Sequence, residues 1–185
     1  YQLSQLVCRN NQLTSLTGML GVYYTLWQID ASNNQLTAID PYPPWVCAYL
    51  DISNNLFTEL PQLNPNMGHT VIAHHNLLTD FYGISGNYNG LVDVSYNLID
   101  SVHFLGTMSL GALDLSGNPL TYMVDLPVEL QVLSINNTLL PCLPYLNKDL
   151  EELYCSGNAF TCIPNQPANL LMSQANFGFP PAVCT

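Results

Sequence analysis

Leu113-Asp114-Leu115-Ser116-Gly117-Asn118-Pro119-Leu120-Thr121-Tyr122-Met123 holds a frame, apolar-x-apolar-x-x-Asn-x-apolar-x-x-apolar, that recurs along nearly the whole chain. The frame's asparagines are Asn11, Asn34, Asn55, Asn76, Asn97, Asn118 and Asn158, and Thr138 stands in once. Successive steps are 23, 21, 21, 21, 21, 20 and 20 residues. A near-constant period of this size marks a solenoid, in which each unit buries its apolar face only against its neighbours. The same period tells which side chains point inward, so function is sought on one surface.

Working outward from the asparagine, the residues before it alternate apolar and polar, as in Leu26, Ile29 and Ala31 or Leu150, Leu153 and Cys155. A period of two reads as a short strand with one buried face. The asparagine follows where the chain turns inward, and its amide can satisfy backbone groups that no ladder reaches. Thr138 is a poorer substitute, which makes the seventh repeat the expected weak point. The return path carries prolines: Pro41, Pro43 and Pro44; Pro61 and Pro65; Pro141 and Pro144; Pro164 and Pro167. Proline fixes φ and removes a donor, so these stretches are expected to be extended rather than helical.

The unbroken repeat points to one elongated domain over residues 1–185, with about eight repeats at 3–163. A degenerate repeat around Leu171, Ser173 and Asn176 and a C-terminal cap fill 164–185. The apolar fraction of 48% is ample for a core, and only 8% of residues are charged, against roughly 25% in an average soluble protein. Thirteen acidic residues face Arg9 and Lys148 alone, a net charge of −11. Such a surface repels phosphate backbones and anionic lipid, so no nucleic-acid partner is expected. No apolar run approaches about 18 residues, so no membrane insertion through a helix is expected. The chain starts at Tyr1, with Leu3 and Leu6 already in frame, so a processed or excised segment is expected.

The frame resembles the leucine-rich-repeat family over roughly residues 3–163. Leu153-Tyr154-Cys155-Ser156-Gly157-Asn158-Ala159-Phe160-Thr161 and Leu140-Pro141-Cys142-Leu143-Pro144 resemble short bacterial repeats. Secreted surface proteins of Bacteroidota carry many of these, and pathogen effectors with LPxLP repeats are related in pattern. The fold expected is an α/β-type solenoid with little helix. It is a curved, right-handed leucine-rich-repeat coil with parallel strands on its concave face and an extended, loop-rich convex side. The resemblance implies a surface that binds other macromolecules on the concave side, and a secreted or cell-surface location. Departures from the frame occur at Ala31, Ala73 and Thr138 and in segments 17–25 and 82–91.

Three columns are expected to face solvent on the concave side, with neighbouring strands about 4.8 Å apart. The first is Gln5, Gln28, Tyr49, Thr70, Leu91, Ala112, Val132 and Glu152; the second is Val7, Asp30, Asp51, Ile72, Asp93, Asp114, Ser134 and Tyr154. The third is Arg9, Ser32, Ser53, His74, Ser95, Ser116, Asn136 and Ser156. Adjacent carboxylates such as Asp30 with Asp51, or Asp93 with Asp114, repel until a cation or basic partner neutralises them. The alternative is that Asp and Ser are structural fillers of these strands. His74 and His75 interrupt the rows, but consecutive strand residues point to opposite faces and no third ligand is evident, so no metal site is expected. Tyr49, Ile72, His74, Leu91, Tyr96 and Tyr154 make a partly aromatic stripe of the kind recognition surfaces use. With Asp51 and Asp93 they are the candidate binding residues.

Of six cysteines, Cys8 and Cys155 occupy buried strand positions and are expected to be reduced. Cys142 and Cys162 each lie four residues after the asparagine position, so they are expected to stack and form a disulfide, with Cys162–Cys184 as the rival pairing. Asn136-Asn137-Thr138 fits an N-glycosylation sequon, though Thr138 is interior. Asp100-Ser101-Val102 resembles the Bacteroidota O-glycosylation pattern. No nucleophile elbow, zinc-binding helix motif, phosphate loop or dinucleotide fingerprint occurs, so neither catalysis nor a cofactor is expected. Three function classes remain. One is an extracellular recognition or adhesion module for a protein or glycan, another a structural subunit associating through its solenoid ends within a surface assembly. The third is a calcium- or metal-dependent surface protein.

Overall fold

A computed structural model describes residues 3–16, 26–39, 47–61, 70–80, 87–103, 109–171, 174–178 and 183. Phe81, Ser173, Cys184, Pro41, Pro43, Pro44 and Pro65, all of segment 17–25 and residues 82–86 of segment 82–91 lie outside them. Strands β1 (Gln5–Val7), β2 (Gln28–Asp30), β3 (Tyr49–Asp51), β4 (Thr70–Ile72) and β5 (Asn87–Asp93) lead into one sheet. Next come β6 (Ser101–Val102), β7 (Ser109–Asp114), β8 (Tyr122–Met123), β9 (Val132–Ser134) and β10 (Glu152–Tyr154), then the single turn α1 (Gln174–Phe177). Eight strands form the parallel sheet β1-β2-β3-β4-β5-β7-β9-β10, while β6 and β8 pair in a second, two-stranded sheet. The fold is a parallel-strand solenoid with almost no helix, as its proline-rich return paths require.

The inner strand position is in register from end to end. Leu6 pairs with Ile29, and Ile29, Leu50, Val71, Val92, Leu113, Leu133 and Leu153 continue the row. A second row, Ala31, Ile52, Ala73, Val94, Leu115, Ile135 and Cys155, is fully buried, and so are Leu36, Phe57, Leu78, Ile99, Leu120 and Leu140 two residues past the asparagine position. Each such aliphatic side chain removed from water stabilises the fold by about 1.5–3 kcal/mol. Leu6, Cys8 and Leu13 of the first repeat are partly buried and pack against this core. The ladder shifts register once, between Tyr88 and Leu91, within the stretch where the frame itself departs from its pattern.

The asparagines join consecutive repeats. Asn76 Nδ2 donates to Ala73 O in its own repeat (3.1 Å) and to Ile52 O in the repeat before (3.0 Å), while its Oδ1 accepts from Phe57 N (3.0 Å). Asn34, Asn55, Asn97 and Asn118 repeat this pattern, each Oδ1 taking the N–H of the residue two past the preceding asparagine. Asn11 donates only within its own repeat, to Cys8 O and Arg9 O. Thr138 is buried, and its N–H and hydroxyl both donate forward to Asn158 Oδ1; its side chain makes no bond back to the sixth repeat.

Just before each asparagine, one residue adopts a left-handed conformation. The column is Asn10, Asn33, Asn54, His75, Tyr96, Gly117, Asn137 and Gly157. Asn and Gly suit it; His75 (φ 54°) and Tyr96 (φ 53°) do not, and a bulky residue there costs on the order of 1–3 kcal/mol.

The cysteine pairing expected from spacing is corrected. Cys142 is an exposed free thiol, whereas Cys162 is disulfide-bonded, and a thiol can serve only one partner. Ile163 pairs in parallel with Val183, which places that residue against this repeat. Cys8 and Cys155 are free, as their inner positions imply. Burial pushes the Cys155 thiol up to about 12, so it stays protonated and unreactive at neutral pH.

Candidate functional site

The solvent face of the sheet carries the first two columns in the register expected of them: Gln28, Tyr49 and Thr70 pair in sequence, as do Asp30, Asp51 and Ile72. Asp93 lies beside Ile72 on one side and Asp114 on the other. The third column corrects the expectation of a third exposed row. Ser32, Ser53, Ser95 and Ser116 are buried. They turn inward because the aspartate two residues earlier folds over them: Asp51 Oδ1 accepts from Ser53 N (3.0 Å) and Ser53 Oγ (2.7 Å). Asp30 with Ser32 and Asp93 with Ser95 do the same, and Asp114 accepts from Ser116 N at 2.8 Å. An acidic side chain that mimics a backbone turn in this way is a local structural device.

The carboxylates are therefore already engaged. Asp30 is buried and also meets Arg9 Nη1 at 3.1 Å. Burial pushes the Asp114 carboxyl above the usual carboxylate range, with Asp93 adding to the rise and the Ser116 hydrogen bonds opposing it. Burial and then the neighbouring Asp51 push the Tyr49 phenol up, so it remains a donor at neutral pH. Among the described residues no group of three or more His, Cys, Asp or Glu side chains converges as a metal site.

The fourth repeat breaks the device. Where its neighbours have Asp and Ser, it has Ile72 and His74, and so gives up both hydrogen bonds. His75 then occupies the left-handed column, which overturns the expectation that the two histidines point apart. Strand alternation ends at position 75, and the two Nδ1 atoms stand 2.9 Å apart. The His75 ring stacks on Tyr96 with centroids 4.6 Å apart and planes 21° from parallel. Tyr96 is therefore a rim residue beside the sheet, 53% exposed, rather than a member of a strand row. Tyr49, Ile72, His74, Leu91 and Tyr96 are brought together over β3, β4 and β5. Tyr154 is not: β7 and β9 separate it from Asp93, roughly 14 Å at the usual strand spacing, and its hydroxyl donates to Glu152.

Sequence reasoning missed the flank that follows each asparagine. Leu56, Leu77, Leu98 and Leu139, one residue past it, are exposed, and so are Thr14, Thr37, Thr58, Thr79, Thr121 and Thr161, three residues past it. Backbone bonds such as Leu77 N to Phe57 O and Leu98 N to Leu78 O (2.8 Å each) hold these rows in register. The signal was present, since the intervening positions are the inward ones.

No protein-family profile and no curated protein matches this chain. Solved structures do. YopM from Yersinia enterocolitica WA-314 matches with a TM-score of 0.77 and 30% identity, over 91% of this chain and 36% of its own. The fold is a leucine-rich-repeat solenoid. The leucine-rich-repeat domain of a Shigella effector (TM-score 0.56, 23% identity, 88% of this chain, 62% of its own) shares that fold. So does YopM from Yersinia pestis (0.52, 22%, 91%, 59%). The chain spans less than two thirds of each of these leucine-rich-repeat proteins. All three are effectors, so the resemblance to Bacteroidota surface repeats gains no support from them.

Proposed function

We propose that this leucine-rich-repeat chain is a non-catalytic binding module for a protein partner, acting outside the cell, with its contact surface centred on β3, β4 and β5. One observation carries the reading. In the fourth repeat the aspartate–serine device used by the second, third, fifth and sixth is replaced by Ile72 and His74, next to the strained His75–Tyr96 stack. Giving up hydrogen bonds and adopting unfavourable backbone for an exposed apolar and aromatic patch is how recognition surfaces differ from scaffold. Tyr49, Leu91, Asp51 and Asp93 complete the patch, and Tyr154 lies outside it. The likeness to YopM supports an interaction scaffold, and the short repeat phrases support a secreted or cell-surface setting of the Bacteroidota kind.

The test restores the neighbours' own residues. The double variant Ile72→Asp/His74→Ser keeps the fold by giving the fourth repeat the same hydrogen bonds as the third. Immobilised wild type is expected to retain a discrete partner from the native secreted fraction, and the variant to lose it. An identical set of retained species would overturn the reading. Protease treatment of the fraction abolishes capture of a protein partner and spares a glycan. A second reading, self-association into a structural subunit, rests on the exposed Leu56, Leu77, Leu98 and Leu139 row and on exposed Leu3 and Val7 at β1. Light scattering separates the two, because a self-assembling chain departs from its 20.5 kDa monomer mass.

A further inference from the structure

We propose that His74 and His75 together bind one late first-row divalent cation, copper(II) foremost, through their two Nδ1 atoms. Metal–imidazole bonds are about 2.0–2.1 Å long, so two of them meeting at a right angle place their nitrogens about 2.9 Å apart. The Nδ1 atoms of His74 and His75 stand 2.9 Å apart. A tetrahedral ion would hold them wider, at about 3.3 Å for the same bond length. Right-angled nitrogen ligands belong to tetragonal copper(II) and nickel(II), and copper(II) stands highest in affinity among these divalent ions. The two rings are nearly perpendicular, 81° between planes, so neither face lies over the other.

The backbone produces this pairing. In a continuing strand the side chains of residues 74 and 75 would leave on opposite faces. The left-handed φ of 54° at His75 brings them to the same side. The ring of His75 is then held by its stack on Tyr96, and Tyr96 lies against Gly117, where an added Cβ would meet the tyrosine Cδ1 at 2.6 Å. Rings held in place before the ion arrives lose little freedom on binding it, which raises affinity. His75 is exposed and His74 half-buried, so the ion has an open approach, and water fills the remaining coordination positions. Without metal, the same two atoms share one N–H···N hydrogen bond; binding needs both as the Nε2–H tautomer, each Nδ1 lone pair free. The site shares His74 and His75 with the proposed partner surface, but a bound ion and a bound protein are read by separate measurements, so either proposal can fail alone.

The experiment titrates the metal-free full chain with copper(II) sulfate in a non-coordinating buffer, following electron paramagnetic resonance and calorimetry. Wild type is expected to take one copper(II) with nitrogen hyperfine coupling. His75→Asn installs the residue that Asn10, Asn33 and Asn54 already place in this conformation, and His74→Ser installs the residue of the neighbouring repeats, so both variants keep the fold. Loss of a remote supporting residue at a metal site weakens binding 10–100-fold, so loss of a direct ligand in either variant is expected to weaken it on the order of a hundredfold. His103→Ala, on a separate histidine that rests against Tyr122, is expected to change nothing. Wild type without nitrogen-coupled copper, or either variant binding as tightly as wild type, would overturn the proposal. Copper lost only with His103→Ala would do the same.

Discussion

The second to sixth repeats and the seventh differ by one side chain in the turn, and the contrast shows what the asparagine does. From Asn34 to Asn118 each amide takes a backbone N–H from the repeat before and returns a donor to a carbonyl there, so every repeat is bolted to its predecessor through its interior. At Thr138 that backward connection is missing, and the threonine leans forward on Asn158 instead. The junction is carried partly by others: Asn136 N donates to Ser116 Oγ (3.1 Å), and Leu139 N donates to Leu120 O (3.0 Å). In a chain stabilised by nearest-neighbour interfaces, a weaker junction localises where the solenoid opens first.

The largest effect is expected from breaking the intact region. Asn76→Ala strands the Phe57 N–H in the interior and leaves the Ile52 and Ala73 carbonyls with the Asn55 and Asn97 amides alone, and is expected to cost about 1–3 kcal/mol in urea unfolding. Hydrogen exchange should then quicken at Phe57; unchanged protection there would count against the bolting role. A smaller, opposite effect sharpens the contrast at its other side. Thr138→Asn is expected to stabilise by about 1 kcal/mol by restoring a backward bond to the sixth repeat, and a loss of stability would show that the 20-residue step no longer admits the amide. The smallest effect lies at the border, in Asp114. Its carboxyl is raised in the folded chain, so the stability it contributes is fully present below the ordinary carboxylate range near pH 4 and is lost as pH rises through the folded value. Asp114→Asn keeps an oxygen for Ser116 N–H and removes the ionisation. The variant's melting temperature should therefore gain on wild type as pH climbs from 4 to 7, and parallel curves would refute the assignment.

The inner rows, the two outer columns and their register were legible in the sequence, because period two and a 21-residue step place each side chain by geometry alone. What escaped depends on bonds shorter in range than the repeat. Ser32, Ser53, Ser95 and Ser116 are buried because an aspartate two residues away folds over them, and alternation alone predicts exposure. His74 and His75 meet because position 75 is left-handed, which the Asn or Gly at Asn33, Asn54, Gly117 and Gly157 had already advertised. Cys142 and Cys162 share a column, yet a shared column says nothing of which other thiol competes. Tyr154 entered the stripe on residue type, and the strand order removed it.

Gly117 ties two repeats together in heredity as well as in space. Its lack of a side chain leaves the room that the Tyr96 ring fills, and an added Cβ would stand 2.6 Å from that ring. The Tyr96 ring in this position and any side chain at position 117 thus exclude one another. A lineage that gains a residue at 117 must move the tyrosine ring, and with it the stack that steadies His75.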